Sequence, residues 1–308
     1  MRLFDLHCDT IYECLRLEQQ LGANCLAIDL ERGCACDGWV QTFACWISDD
    51  LRGEDAWNDF LRQSAFFEQQ LHAQQKLVRY NGQLVPGKCN AILSVEGGAV
   101  LGGKLERIGE LAKRGVKMLT LCWNDKNELA SGALAKGGFT EFGRQCIPEL
   151  ERNGIIVDVS HLNEQGFWEL CEFAKEPFIA THSNSAAVHR HPRNLTDAQV
   201  GEILSRGGLI GLNFYVKFLS RKRNPDFSVL KRHIDHFLEL GCEDVLALGS
   251  DFDGASMPDF LCGIERIANL YQSMVEYYGQ TIADKILFEN ANRFFQHRMG
   301  KNGPCGEE

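Results

Sequence analysis

Apolar residues along this chain come in short runs, and the runs alternate with segments of helical periodicity. Eight runs have strand character: Arg2 to Leu6, Val40 to Ile47, Asn90 to Val95, Val116 to Leu121, Ile155 to Val159, Phe178 to Thr181, Leu209 to Phe214 and Val245 to Gly249. Glu54 to Gln75, Lys104 to Arg114, Glu141 to Asn153, Glu164 to Lys175, Asp197 to Ser205 and Ser228 to Leu240 instead repeat at helical spacing. Strands that alternate with helices give a parallel sheet, because a parallel pair needs a long crossover. Several runs are apolar without strict alternation, as expected of strands covered on both faces. Eight such units predict an α/β fold of the (β/α)8, or TIM barrel, type.

Length and composition fit one domain over residues 1–308. A chain of 308 residues exceeds the usual single-core size, but α/β barrels reach it as one unit. Only seven Pro occur, and no low-complexity tract or fixed-period repeat marks a linker. The net charge of −10 argues against nucleic acid and anionic membranes as partners, since both need a basic surface. The one tight basic cluster, Arg221 to Arg223, reads as a solvated loop. No basic stretch precedes an apolar signal segment at the N-terminus, and no run approaches the roughly eighteen apolar residues of a membrane span. Thirteen cysteines spread through the presumed elements read as reduced thiols, so a cytoplasmic location is expected. Cys34 and Cys36 have no matching second pair and read as ordinary thiols.

Chemistry concentrates where the apolar runs end. His7 and Asp9 follow RLFDL, Glu96 follows AILSV, His161 follows IIVDVS, His182 follows PFIAT and Asp251 follows DVLALGS. Imidazole and carboxylate suit a borderline divalent ion such as zinc, and six such groups are too many for one tetrahedral ion but about right for two. In a barrel these strand ends converge on one mouth. His233 and His236, spaced i, i+3 on an outer helix, read as structural. No glycine cluster forms a phosphate cradle, and no Ser or Cys has a nucleophile-elbow setting.

The segments DLHCDT (5–10), SVEGG (94–98), DVSH (158–161), THSNS (181–185), HPRNLTD (191–197) and GSDFDG (249–254) occur in the order seen in the membrane, or renal, dipeptidase family of zinc peptidases. The chain resembles that family from residue 5 to FENANRFF at 288–295. The resemblance implies a dipeptidase that uses two Zn2+ or similar divalent ions. Glu96 would bridge them, His7 and Asp9 would complete one site, and His161 and His182 the other. It further implies that Asp251 is the acid/base residue, that Arg193 holds the substrate carboxylate, and that Asn213 and Tyr215 line the pocket. A homodimer is expected on the same ground.

One position departs from the family pattern. Where the best-known members carry a His after the fourth strand, this chain has Trp123. Stabilisation of the carbonyl oxygen must then come from a metal, from Asn124 or from water. The departure leaves open related amidohydrolase reactions on lactams, lactones or N-acyl amino acids, and a metal-binding homologue without turnover.

Overall fold

The predicted runs lie side by side in a computed structural model, which describes residues 1–300. The part of the single-domain expectation that falls on residues 301–308 lies outside the described residues. The strands are β1 (Arg2–Asp5), β2 (Gly38–Trp46), β3 (Leu77–Arg79), β4 (Cys89–Glu96), β5 (Val116–Thr120), β6 (Ile156–Asp158), β7 (Ile210–Leu212) and β8 (Leu246–Leu248). They form one sheet in the order β6-β5-β4-β2-β1-β8-β7, with β3 paired to β4, and every ladder is parallel. Helices α1 (Thr10–Arg16), α2 (Gly53–Ala73), α3 (Arg107–Lys113), α4 (Glu141–Arg152), α5 (Glu164–Phe173), α6 (Asp197–Ser205), α7 (Val216–Leu219) and α8 (Phe227–Glu239) occupy the connections, followed by α9 (Ile267–Tyr278), α10 (Gln280–Asp284) and α11 (Asn290–Gly300).

The run Phe178 to Thr181 departs from expectation. It forms no ladder of its own and contributes single parallel bridges, Ile179 to Asp158 of β6 and Ala180 to Ile210 of β7. Pro177 has no N–H with which to begin a ladder earlier, and the chain turns away at His182. These bridges nevertheless tie the two ends of the strand order together, and the sheet curls. The structure adds β3, a three-residue strand with only Leu77 buried. Too few apolar positions mark it in the sequence.

Two apolar layers hold this arrangement. The inner one takes Phe4, Val40, Ile92, Met118, Ile156, Ile179, Leu209 and Ala247 from around the curled sheet and closes on Phe288, Ala291 and Phe295. Phe4 lies 5.1 Å from Phe295 and 6.4 Å from Phe288, centroid to centroid. The larger outer layer lies between strands and helices, and it explains why the strands read as apolar on both faces.

Local rules set the helix starts close to the mouth. Asn163, two positions after His161, accepts from the Gly166 N–H and caps α5, while Thr196 and Gln199 make a reciprocal capping box on α6. A Cβ at Gly211 or Gly249 would collide with the Thr181 carbonyl oxygen. Glycine there lets the segment carrying His182 pass against the ends of β7 and β8.

Candidate metal centre

Glu96 ends β4 and turns its two carboxylate oxygens to different partners. Oε1 lies 2.6 Å from His161 Nε2 and 3.6 Å from His182 Nε2, whereas Oε2 lies 3.6 Å from His7 Nε2. His7 Nε2 is in turn 3.4 Å from Asp9 Oδ2 and 4.0 Å from Asp251 Oδ1. The two imidazoles on the other side, His161 and His182, bring their Nε2 atoms within 3.0 Å of each other. All six groups suggested by the sequence therefore meet, and all are buried. Asp9 is the N-cap residue of α1 but its carboxylate makes no capping hydrogen bond, so helix capping does not account for it.

Two deeper carboxylates orient these groups. Asp158, at the end of β6, accepts from the hydroxyls of Thr120, Ser160 and Thr181 at 2.6–2.7 Å. Because the Thr181 proton goes to Asp158, its hydroxyl can only accept from His182 Nδ1, 2.7 Å away. His182 is thereby held with a bare Nε2 lone pair facing Glu96. On the opposite side Asp5 accepts from the Ser250 N–H at 2.8 Å, the Ser250 hydroxyl at 2.6 Å and Gln41 Nε2 at 2.9 Å. It fixes the backbone between β8 and Asp251. Sequence reasoning missed Asp5 and Asp158 as site residues. Their signal was present, since each is a carboxylate inside an apolar run just before a proposed ligand.

The donor set fits divalent cations. Burial pushes Glu96, Asp9 and Asp251 above the usual carboxylate range, Asp251 to about 7. Burial also pulls His161 and His182 well below the imidazole range, helped by the charges of Arg193 and His7. Burial alone would do the same to His7, but Glu96 and Asp9 outweigh it and raise His7 to about 10. Three buried carboxylates thus share one protonated imidazole, His7, while His161 and His182 stay unprotonated, which leaves the cluster short of positive charge. His7 Nε2, Asp9 Oδ1 and His161 Nδ1 are buried with no hydrogen-bond partner among the described residues. Buried polar atoms without partners are costly, and a cation would satisfy those that face the cluster.

The cluster opens into a cavity of about 660 Å³ whose walls include Arg193, Tyr215, Trp123 and Asn124. Arg193 is 4% exposed and, among the described residues, none of its three guanidinium nitrogens has a hydrogen-bond partner. Its group lies 5.3 Å over the Phe218 ring, and burial lowers its pKa to about 10 against the pull of Glu96 and Asp251. A buried, unpaired guanidinium at a cavity wall is a ready receptor for an anion. Asn213 is placed differently from expectation. It is fully buried behind the wall, where Nδ2 donates to Asp251 Oδ2. Asp251 itself has a left-handed backbone, φ 62°, and Asp253 does likewise at 68°. Such a conformation costs a non-glycine residue on the order of 1–3 kcal/mol and clusters at functional sites. His233 proves structural: it is fully buried, lies 3.0 Å from the Leu219 carbonyl and accepts from the Ser185 N–H.

A curled parallel α/β sheet with His, Glu and Asp side chains converging at its strand ends is the frame of a metallohydrolase. The family model for membrane dipeptidases, peptidase family M19, matches residues 1–301, and the chain belongs to that family. It is 34% identical over 214 residues to an uncharacterised Klebsiella pneumoniae protein from the pqqA 5′ region, covering 65% of this chain and 78% of that one. It is 30% identical over 211 residues to an uncharacterised dipeptidase of Schizosaccharomyces pombe, covering 62% of this chain and half of the yeast protein. A metallopeptidase of Rhodobacter sphaeroides, solved with a phosphinate mimic of the dipeptide L-Ala-D-Ala, superposes with a TM-score of 0.88 at 25% identity over 97% of this chain and 99% of the other. No helix among the described residues is long and apolar enough to cross a membrane.

Proposed function

We propose that this protein is a dipeptidase that hydrolyses small dipeptides at a centre of two zinc-type divalent ions, set in the mouth of a (β/α)8 barrel. The observation that carries this reading is the division of Glu96, with one oxygen toward His161 and His182 and the other toward His7. His7, Asp9 and Glu96 would hold one ion, and Glu96, His161 and His182 the other. When bound, such ions supply Lewis acidity and bring the deprotonation of water close to neutral pH.

The remaining work falls to side chains of this chain. Arg193 would bind the substrate carboxylate and thereby set the scissile bond over the cluster. Asp251 would take a proton from the attacking water at Oδ1 and pass it to the leaving amine. Asn213 would hold Asp251 Oδ2 and keep Oδ1 toward the substrate. Tyr215 would border the carboxylate end. Free thiols at the described cysteines suit a reducing, cytoplasmic setting.

The reading is tested by incubating zinc-loaded protein with a panel of dipeptides and measuring released amino acids. Cleavage that stops after chelation and returns with zinc is expected. A protein loaded with two equivalents of metal that cleaves no dipeptide would refute the reading.

A further inference from the structure

One wall of the cavity is a continuous stack of large aromatic side chains. Tyr12 of α1, Trp46 at the end of β2 and Trp123 after β5 all line it, and all three are partly exposed. Tyr12 and Trp46 meet edge to face at 4.8 Å and 78°, Trp46 and Trp123 at 4.9 Å and 80°. Trp123 then approaches the His161 ring at 6.5 Å. The stack thus runs from the mouth down to the ligand cluster. Arg193 belongs to a different aromatic group: it lies over Phe218, which packs against Tyr215 at 4.8 Å.

Trp123 is not held by packing alone. Asp49, in the loop after β2, accepts at one oxygen from the N–H groups of Asn124 at 3.1 Å and Asp125 at 2.9 Å. Arg52, from the same loop, donates to the Lys126 carbonyl at 2.9 Å. The loop that follows Trp46 therefore grips the loop that begins at Trp123. A ring fixed in this way offers contact area without the entropy cost of ordering it on binding.

We propose that Tyr12, Trp46 and Trp123 form a side-chain subsite that selects dipeptides with an aromatic or large aliphatic N-terminal residue, and that Asp49 is the positioning residue for it. The inference rests on the dipeptidase reading above. With the carboxylate on Arg193, the C-terminal residue lies on the Phe218 flank, and the N-terminal side chain is left to the Trp123 flank. Removing a large apolar side chain from water against such a wall is worth on the order of ten- to a hundredfold in kcat/KM.

The test compares kcat/KM for Phe-Gly, Leu-Gly and Gly-Gly, with Gly-Phe as the control for the other position, in the zinc-loaded protein. Phe-Gly is expected to exceed Gly-Gly by about ten- to a hundredfold. Trp123→Ala should bring that ratio close to one, and the ratio cancels any general loss of activity. Asp49→Ala should lower it as well, whereas Asp49→Asn, whose amide oxygen still accepts both N–H groups, should preserve it. A wild-type ratio near one, a ratio indifferent to Trp123→Ala, or a Trp123 effect confined to Gly-Phe overturns the subsite while leaving the dipeptidase reading intact. Equal losses in Asp49→Ala and Asp49→Asn remove the positioning role. No cleavage of any dipeptide by metal-loaded protein overturns both readings.

Discussion

Asn213 and Asp251 are locked to each other with their polarity fixed. Asn213 Oδ1 accepts from the Tyr215 N–H at 2.6 Å, so its Nδ2 must be the end that faces Asp251 Oδ2, 2.9 Å away. One carboxylate oxygen is thereby occupied and the other points toward His7. If Asp251 moves protons, Asp251→Asn should lower kcat by about 10²- to 10⁴-fold with metal content retained. Asn213→Ala should cost roughly ten- to a hundredfold through the loss of orientation. Unchanged turnover in Asp251→Asn excludes the proton-transfer role, and loss of metal reassigns Asp251 as a ligand.

Glu96 is the group whose removal should affect both halves of the cluster. Protein purified without chelator is expected to hold about two equivalents of divalent metal, and Glu96→Ala at least one fewer. Plasma emission spectroscopy decides the matter. Retention of both ions in the mutant would end the bridging assignment.

Arg193 has no hydrogen-bond partner among the described residues, so the substrate should supply one. Amidating a dipeptide's carboxylate is expected to reduce kcat/KM by about tenfold or more in wild type, because hydrogen bonds to charged groups contribute roughly 1.5–3 kcal/mol. In Arg193→Ala the same amidation should change little. Comparing the four combinations isolates the contact. Equal kcat/KM for free and amidated substrates in the wild type would rule it out.

A pH dependence of stability should come from His233, away from the ligand cluster. Burial lowers its pKa from 6.5 to about 4. Below pH 6.5 the unfolded chain binds a proton that the folded protein refuses, so stability falls as pH drops from about 6.5 to about 4 and then levels off. The full difference is on the order of 3 kcal/mol. His233→Gln removes the titrating group at the price of its hydrogen bonds. Urea unfolding at pH 7.5, 5.5 and 4.5 should therefore show wild type and mutant converging as the solution becomes acidic. A gap independent of pH would mean that His233 titrates normally.

The parts of the molecule legible in the sequence are those that depend on neighbouring positions. Apolar runs marked seven of the eight paired strands, because burial on both faces leaves a local signature. The residues that follow those runs marked the cluster, since His7, Glu96, His161 and Asp251 come at or just after the ends of parallel strands and His182 follows the segment that bridges β6 and β7. What escaped depends on partners distant in the chain. Asp5 meets Ser250 across 245 positions, and Asp49 meets Asp125 across 76. Asn213 was expected in the cavity wall, yet the turn after β7 carries it behind Asp251. The shortness of β3 and the loss of a ladder at Phe178 to Thr181 likewise follow from pairing geometry, which periodicity does not encode.

The packing of Phe4 against Phe288 and Phe295 fills the far end of the curled sheet with side chains, as in a barrel whose interior is a packed core and not a pore. For a dipeptidase working at the ligand cluster, substrate and both products would then share the mouth above it. If Arg193 receives the substrate carboxylate, the product that keeps that carboxylate would leave past the same group. Free amino acids should accordingly inhibit competitively, and clearing the mouth becomes part of each turnover.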